Sequence, residues 1–61
     1  MTPNLYETLK LLAQGFSDPE IAERLKISHP AATDRVRRLL AYFGVHKRSL
    51  LVAKCYRERI V

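Results

Sequence analysis

The residues best suited to chemistry in this chain are basic, and they cluster in its second half. Seven Lys and Arg residues and no acidic residue lie between Arg35 and Arg57, in a chain of 61 residues with net charge +5. Four of the six acidic residues lie within the first 23 positions. Arginine carries a planar fork of N–H donors that matches phosphate oxygens and the edge of guanine. The uneven charge indicates a polyanion as partner, although a solvated basic surface would give the same pattern.

The sequence contains no set of residues that is typical of a catalytic or metal centre. It has no glycine-rich phosphate loop, no paired carboxylates expected to share a cleft, and no Ser or Cys nucleophile with a positioned base. Cys55 is the only cysteine, and with His29 and His46 it cannot supply the four ligands of a structural zinc site. We therefore predict a protein that is not an enzyme and that uses no cofactor and no metal.

Length and composition predict a single soluble domain that spans residues 1–61. No stretch of the chain approaches the ~20 consecutive apolar residues that a membrane span needs. The first seven residues, MTPNLYE, lack the basic and apolar parts of a signal peptide. A lone cysteine without an export signal favours a reducing compartment, so we expect a cytoplasmic protein.

Apolar residues recur at spacings of three and four in four segments, which is the period of amphipathic helices. Ser or Thr precedes the first three segments, and glycine follows the first and the third, as expected at helix ends. The sequence therefore predicts an all-α, four-helix fold with helices at about 3–14, 18–25, 29–43 and 48–60.

A connection of only three residues, 26–28, joins the second and third predicted helices. Two short helices joined this tightly, the second one carrying arginines, are typical of the helix-turn-helix motif. Ala22 lies where the two helices would approach most closely, and Ile21 and Leu25 would supply apolar contacts between them. The first three helices are thus expected to form a tri-helical helix-turn-helix core.

The fourth predicted helix is apolar on every side in its first part, from Leu50 to Ala53. One face would pack on the core, and a second copy of the chain is the simplest cover for the rest, which makes this a dimerisation helix. The alternative is a frayed tail with exposed apolar residues. Cys55 is expected in or near the dimer seam. The candidates for the dimer interface are Leu51, Val52, Cys55, Tyr56 and Arg59.

Over nearly its whole length the chain resembles the LuxR/GerE-type helix-turn-helix domain. The resemblance rests on LKLLAQGFSDPEIAERLKIS and RVRRLLAYFGVHKRS, and its most specific parts are 13–17, 20–22 and Gly44-Val45 followed by Arg48. It implies a four-helix bundle whose third helix enters the major groove of DNA and whose fourth helix forms a two-fold dimer. Family members are mostly bacterial transcription regulators, so the resemblance implies a protein of the bacterial nucleoid or one encoded by a phage.

The start of the third helix departs from the family pattern. The family usually has Thr-Val-Lys there, followed after one residue by His, whereas this chain has Ala-Ala-Thr at 31–33 and then Arg35. The family's base preference therefore does not carry over. Its base-contacting positions align with Thr33, Asp34 and Arg37, and the resemblance implies these three as candidates for base contact.

For Arg37 the chemistry indicates one role in base contact, whereas for Asp34 it leaves two roles open. Arg37 has the donors for two hydrogen bonds to guanine O6 and N7. Asp34 would repel phosphate but would accept a hydrogen bond from cytosine N4. As an alternative, Asp34 would be an acid in the first turn that favours the helix dipole.

A further set of residues is expected to contact phosphates, which position a protein without choosing a sequence. For Ser17 the contact would also use the amides that begin the second helix. For Arg48 the alternative is a structural ion pair with an acidic residue of the bundle. The candidates for phosphate contact are Ser17, Arg35, Arg38, Lys47 and Arg48.

The function expected from these features is sequence-specific binding to an inverted repeat in double-stranded DNA as a homodimer, with transcriptional regulation as the outcome. A rival from another class is a small interaction module that pairs through its fourth helix with a larger regulator, or with RNA polymerase, and needs no DNA. A third reading is a promoter-recognition module like those of sigma factors, which share the tri-helical core. The Gly44-Val45 ending and the fourth helix favour the LuxR/GerE type.

Overall fold

A computed structural model describes residues 1–61 and contains four α-helices and no strand. The predicted all-α, four-helix fold is confirmed. None of the helices combines the length and apolar character needed to cross a membrane. The helices are α1 (Pro3–Ala13), α2 (Asp18–Leu25), α3 (His29–Phe43) and α4 (Arg48–Arg57).

The first three helices each begin at a hydroxyl side chain that caps free backbone N–H groups. Thr2 and Ser28 each accept a hydrogen bond from the N–H three residues on. Ser17 forms a reciprocal pair with Glu20, in which each side chain accepts from the other residue's N–H. These caps fix where α2 and α3 start, and with them the short connection that joins the two helices.

All four helices end in the same kind of turn. A residue with left-handed backbone is followed by an apolar residue whose N–H donates to the carbonyl five positions earlier, at 2.9–3.2 Å. Each of these apolar residues packs against the core, so every helix end is tied to the interior. The left-handed residues are Gly15, Lys26, Gly44 and Arg59, and the apolar residues that follow them are Phe16, Ile27, Val45 and Ile60.

The end of α4 corrects the predicted span of the fourth helix. The helix ends at Arg57 and does not continue to residue 60. Arg59 adopts a left-handed backbone with φ of 54°, which folds Ile60 back so that its N–H meets the carbonyl of Cys55. Arg59 therefore lies in the terminal turn of the chain, beyond the helix.

The core draws at least one side chain from each helix. Leu9, Ile21, Leu39 and Leu51 are all completely inaccessible to solvent. Thr8 is the one buried polar residue, and its hydroxyl donates to the carbonyl of Asn4 within α1. Helix α3 contacts each of the other three helices, so its orientation is fixed from several sides.

Two tyrosines hold the end of the chain against α1. The hydroxyl of Tyr56 donates to the carbonyl of Ala13 at 2.7 Å, and the hydroxyl of Tyr6 donates to the carbonyl of Ile60 at 3.5 Å. From Tyr56 to Ile60 the chain therefore runs antiparallel to α1, from the end of that helix towards its start. Helix α4 is therefore part of the monomer fold.

The left-handed backbone of Lys26 gives a test of this account of the helix ends. A left-handed conformation costs an ordinary L-residue about 1–2 kcal/mol, whereas glycine adopts it freely but loses more entropy on folding. Replacing Lys26 with Gly should therefore raise the free energy of unfolding by about 0.5–1 kcal/mol in urea denaturation followed by circular dichroism. Lys26→Ala removes the same charge and keeps the strain. Equal stability of the two variants would contradict the proposed strain at this turn.

Candidate nucleic-acid interface

Helix α3 presents a continuous exposed face opposite its buried one. Ala32, Val36 and Leu39 point into the core and are at most 4% exposed. At 3.6 residues per turn this burial directs the opposite side of the helix outward. Thr33 and Arg35 lie on the flanks and are half-buried. The exposed residues of this face are Pro30, Asp34, Arg37, Arg38 and Ala41.

Arg37 is the exposed arginine of this face that has no partner within the protein. None of the ion pairs and none of the side-chain hydrogen bonds involves it. It lies beside Thr33 and Asp34 at a shallow depression formed by the first half of α3. Its guanidinium group is therefore available to donate both of its parallel N–H bonds to one acceptor pair.

Asp34 and Arg38 form an ion pair on the same face. The Nε atom of Arg38 lies 2.9 Å from Oδ2 of Asp34, with both side chains more than half exposed. Such exposed pairs at i,i+4 contribute only about 0.3–0.5 kcal/mol to stability. Asp34 is the sixth residue of α3, and the first turn of that helix holds no acid. The first-turn reading of Asp34 is therefore wrong.

A second polar cluster joins the start of α2 to α3 and α4. Arg48 donates one hydrogen bond to Oδ1 of Asp18 and another, of 2.8 Å, to the carbonyl of Phe16. The hydroxyl of Thr33 donates to the other carboxylate oxygen of Asp18 at 3.2 Å. We call Asp18, Thr33 and Arg48 the Asp18 junction. It connects residues that are 15 and 30 positions apart in the sequence.

The Asp18 junction changes the roles expected for two candidate residues. Arg48 was a candidate for phosphate contact, but its guanidinium group is held by Asp18 and Phe16, so the structural ion pair is the arrangement observed. Thr33 was a candidate for base contact, and the proton of its hydroxyl is directed at Asp18. Of the two, only Thr33 remains on the edge of the exposed face of α3.

The start of α2 does not offer the phosphate site expected around Ser17. The N–H of Ser17 donates to Oε1 of Glu20 at 2.9 Å, and the Ser17 hydroxyl is occupied by the N–H of Glu20. The hydrogen bond that the Glu20 carboxylate accepts from the backbone N–H of Ser17 lowers the pKa of Glu20. A carboxylate thus already occupies the positive end of the helix and would repel a phosphate, which argues against the contact predicted for Ser17.

Two further basic residues, one on α3 and one at the start of α4, have no acidic partner. Arg35 lies half-buried on one flank of α3 and takes part in no ion pair. Lys47 is exposed at the N-cap of α4, where no side chain caps the helix. Together with Arg37 they give three cations without an acidic partner around α3.

The predicted dimer interface is only partly accessible. Leu51 and Cys55 are completely buried in the core of the monomer, so both are wrong as interface residues. Burial, aided by the nearby Glu58, raises the pKa of the Cys55 thiol. Val52 is half-buried, and Tyr56 is 59% exposed although its hydroxyl is bonded to Ala13.

The outer side of α4 carries residues that the sequence interpretation did not select. Ser49 and Ala53 are small and exposed, one turn apart, and Leu50 beside them is 43% exposed. Because the run from Leu50 to Ala53 is apolar throughout, its hydrophobic pattern alone did not distinguish the inward from the outward side. The outer side is formed by Ser49, Leu50, Ala53 and Tyr56.

The remaining surface depressions are shallow and lined mainly by polar side chains. One lies on α2 at Glu20, Glu23 and Arg24, and another lies between α1 and α2. No three His, Cys, Asp or Glu side chains come close enough together to hold a metal ion.

Comparison of the chain with protein-family models finds no match, and comparisons with curated proteins and with solved structures find none either.

A double-mutant cycle tests whether the Asp18 junction stabilises the fold. Hydrogen bonds to charged groups contribute about 1.5–3 kcal/mol when buried, and partial exposure of this pair reduces that range. We expect Arg48→Ala and Asp18→Ala to show a coupling free energy of about 1 kcal/mol in urea unfolding. Lys47→Ala removes a neighbouring cation without a partner and should change stability by less than about 0.5 kcal/mol. Additive effects of the two junction variants would show that the junction contributes nothing.

Proposed function

We propose that this protein binds double-stranded DNA through the exposed face of α3, as a sequence-selective homodimer that regulates transcription. The observation that carries the proposal is the position of Arg37, which is exposed and unpartnered on the side of α3 opposite its buried face. The resemblance of the sequence to the LuxR/GerE-type domain supports the same reading. In this proposal the protein is not an enzyme and acts in the cytoplasm, on the DNA of a bacterial nucleoid or as a phage product.

The dimensions of α3 suit the major groove. At 1.5 Å per residue, 15 residues give a helix about 22 Å long. Recognition helices place their N-terminal half against base edges. In α3 that half holds Thr33 and Asp34, and Arg37 follows directly after the midpoint of the helix. Arg37 is the leading candidate for direct reading because its free guanidinium group matches guanine O6 and N7.

Cations on the flanks of α3 would position the helix by contacting phosphates. Arg35 lies on one flank of α3 and Lys47 lies at the N-cap of α4, and neither takes part in an ion pair. The acidic residues Glu7 and Glu23 lie on α1 and α2, whereas the exposed face of α3 holds two arginines, Arg37 and Arg38, and one acid, Asp34. This distribution favours approach to DNA with α3 leading.

The outer side of α4 is the proposed dimer contact. Ser49 and Ala53 are small enough for a second helix to approach closely, and Leu50 and Tyr56 flank them with apolar surface. Two copies related by a two-fold axis would read an inverted repeat with half-sites about 10 bp apart.

A second candidate function uses the same outer side of α4. Leu50 and Tyr56 are large, apolar and exposed, so the helix would also suit pairing with a larger regulator or with RNA polymerase. That function needs no affinity for DNA. A titration with duplex DNA at low salt distinguishes the two, because only the first candidate binds.

Arg37→Ala tests base reading. Loss of two hydrogen bonds to guanine should lower affinity for a duplex selected from random sequences by about 5- to 150-fold, corresponding to about 1–3 kcal/mol. Preference at one base pair should be lost when selection is repeated with the variant.

Lys47→Ala is the matched control for Arg37→Ala, since it removes one cation that is assigned to phosphate. It should weaken selected and random duplexes to the same extent and reduce the slope of log affinity against log salt by about 0.9. Identical behaviour of the two variants on both duplexes would overturn the assignment of Arg37 to base reading.

Ala53→Glu tests the dimer. A carboxylate at the centre of the outer side of α4 would face its symmetry mate, so the variant should sediment as a monomer while wild type sediments as a dimer. Ala41→Glu makes the same change at an exposed alanine of α3 and should leave the dimer intact. A wild-type monomer at all concentrations in analytical ultracentrifugation would contradict the proposal for α4.

A further inference from the structure

We infer that Asp34, held by Arg38, is a specificity-determining residue that penalises duplexes in which the base facing it is guanine or thymine, whose major-groove edges carry hydrogen-bond acceptors and no amino group. The inference rests on the proposed DNA-binding function and adds to it a role for the ion pair. It assigns Arg38 to positioning Asp34, in place of the phosphate contact expected from the sequence.

The position of Asp34 is unusual for an acidic residue in this chain. It is the only acid between Glu23 and Glu58, and it lies on the exposed face of α3 within the most basic part of the sequence. It also borders the same shallow depression as Arg37. A carboxylate there reduces the attraction of this face for phosphates, so it weakens binding to DNA of any sequence.

The ion pair leaves the carboxylate with one defined acceptor. Arg38 occupies Oδ2 of Asp34 through Nε, and Oδ1 is bonded to no group of the protein. Inside a groove, an ionised carboxylate that cannot reach a donor loses its hydration without replacement, which is costly. Among base edges of the major groove, the amino groups of cytosine N4 and adenine N6 are the donors, and acidic side chains pair with cytosine N4.

Asp34 and Arg37 thus require opposite hydrogen-bonding groups at adjacent positions of the DNA sequence. Arg37 requires acceptors, as on guanine, and Asp34 requires a donor, as on cytosine. Arg38 neutralises the carboxylate and limits the directions in which Oδ1 points. A surface composed only of arginines would bind tightly to any duplex, whereas this combination favours the few sequences that meet both demands.

Asp34→Asn tests the inference, with affinities measured for the selected duplex and for a random duplex across a range of salt. The variant removes the charge, keeps the size of the side chain and lies at an exposed position, so folding should be retained. We expect affinity for the random duplex to rise at least about threefold, with a salt slope steeper by up to about 0.9. Preference at one position should shift from cytosine towards adenine, because the Asn amide has a donor beside its acceptor and so matches adenine N6 and N7. Glu7→Gln removes an equal charge from α1 and should change neither the preference nor the slope appreciably.

Arg38→Gln distinguishes a positioning role from a phosphate contact. A positioning role predicts weaker preference at the same base pair that Asp34→Asn affects, with little change in the salt slope. A phosphate contact predicts a slope reduced by about 0.9 and an unchanged preference, which would overturn the role given to Arg38.

The outcomes separate this inference from the function on which it rests. If wild type binds no duplex at low salt, the proposed function and the inference both fail. If wild type selects a sequence and Asp34→Asn selects the same one with the same ratio to random DNA, the inference alone fails.

Discussion

Burial of one side of α3 is the constraint on which the rest of the structure depends. Ala32, Val36 and Leu39 are enclosed by the other helices, and a regular helix of four turns cannot rotate without exposing them. The opposite side of α3, which carries Arg37 and Arg38, is therefore exposed to solvent. Side chains on a packed helix also present a better-defined geometry than side chains on a loop, which suits recognition of base edges.

The Asp18 junction adds a polar constraint to this apolar one. Asp18 contacts α3 through Thr33 and the start of α4 through Arg48, while the second hydrogen bond of Arg48 reaches the turn that follows α1. The junction therefore contributes to the angle between the exposed face of α3 and α4. In a dimer built on α4, that angle sets how far apart two copies of α3 lie and which spacing of half-sites they fit.

The sequence was sufficient for those features of the fold that depend on local chemistry. Hydroxyl caps predicted the starts of α1, α2 and α3, and helix-ending glycines predicted the ends of α1 and α3, each to within a residue. The end of α4 was missed because Arg59, which is not a glycine, takes the left-handed turn. Contacts between residues far apart in the sequence were harder to predict, because no local pattern indicates that Arg48 bonds to an acid 30 positions earlier.

The parts of the candidate site that depend only on the 3.6-residue period of a helix could be predicted from the sequence. The outward placement of Arg37 and Asp34 needed only the buried side of α3 as a reference. The ion pair between Asp34 and Arg38 has the i,i+4 spacing at which opposite charges meet on a helix surface, so it follows from the sequence once α3 is assigned. The burial of Leu51 and Cys55 required the packing of α4 on α1, because an apolar run gives no preferred side.

The most direct test of the central claim is an amide chemical-shift map of the ¹⁵N-labelled protein titrated with a random-sequence duplex at low salt. The account predicts changes concentrated along the exposed residues of α3 and at Lys47, reversed by added salt, with the outer surface of α1 around Glu7 unaffected. No change at low salt, or changes centred on α1 and α2, would contradict it.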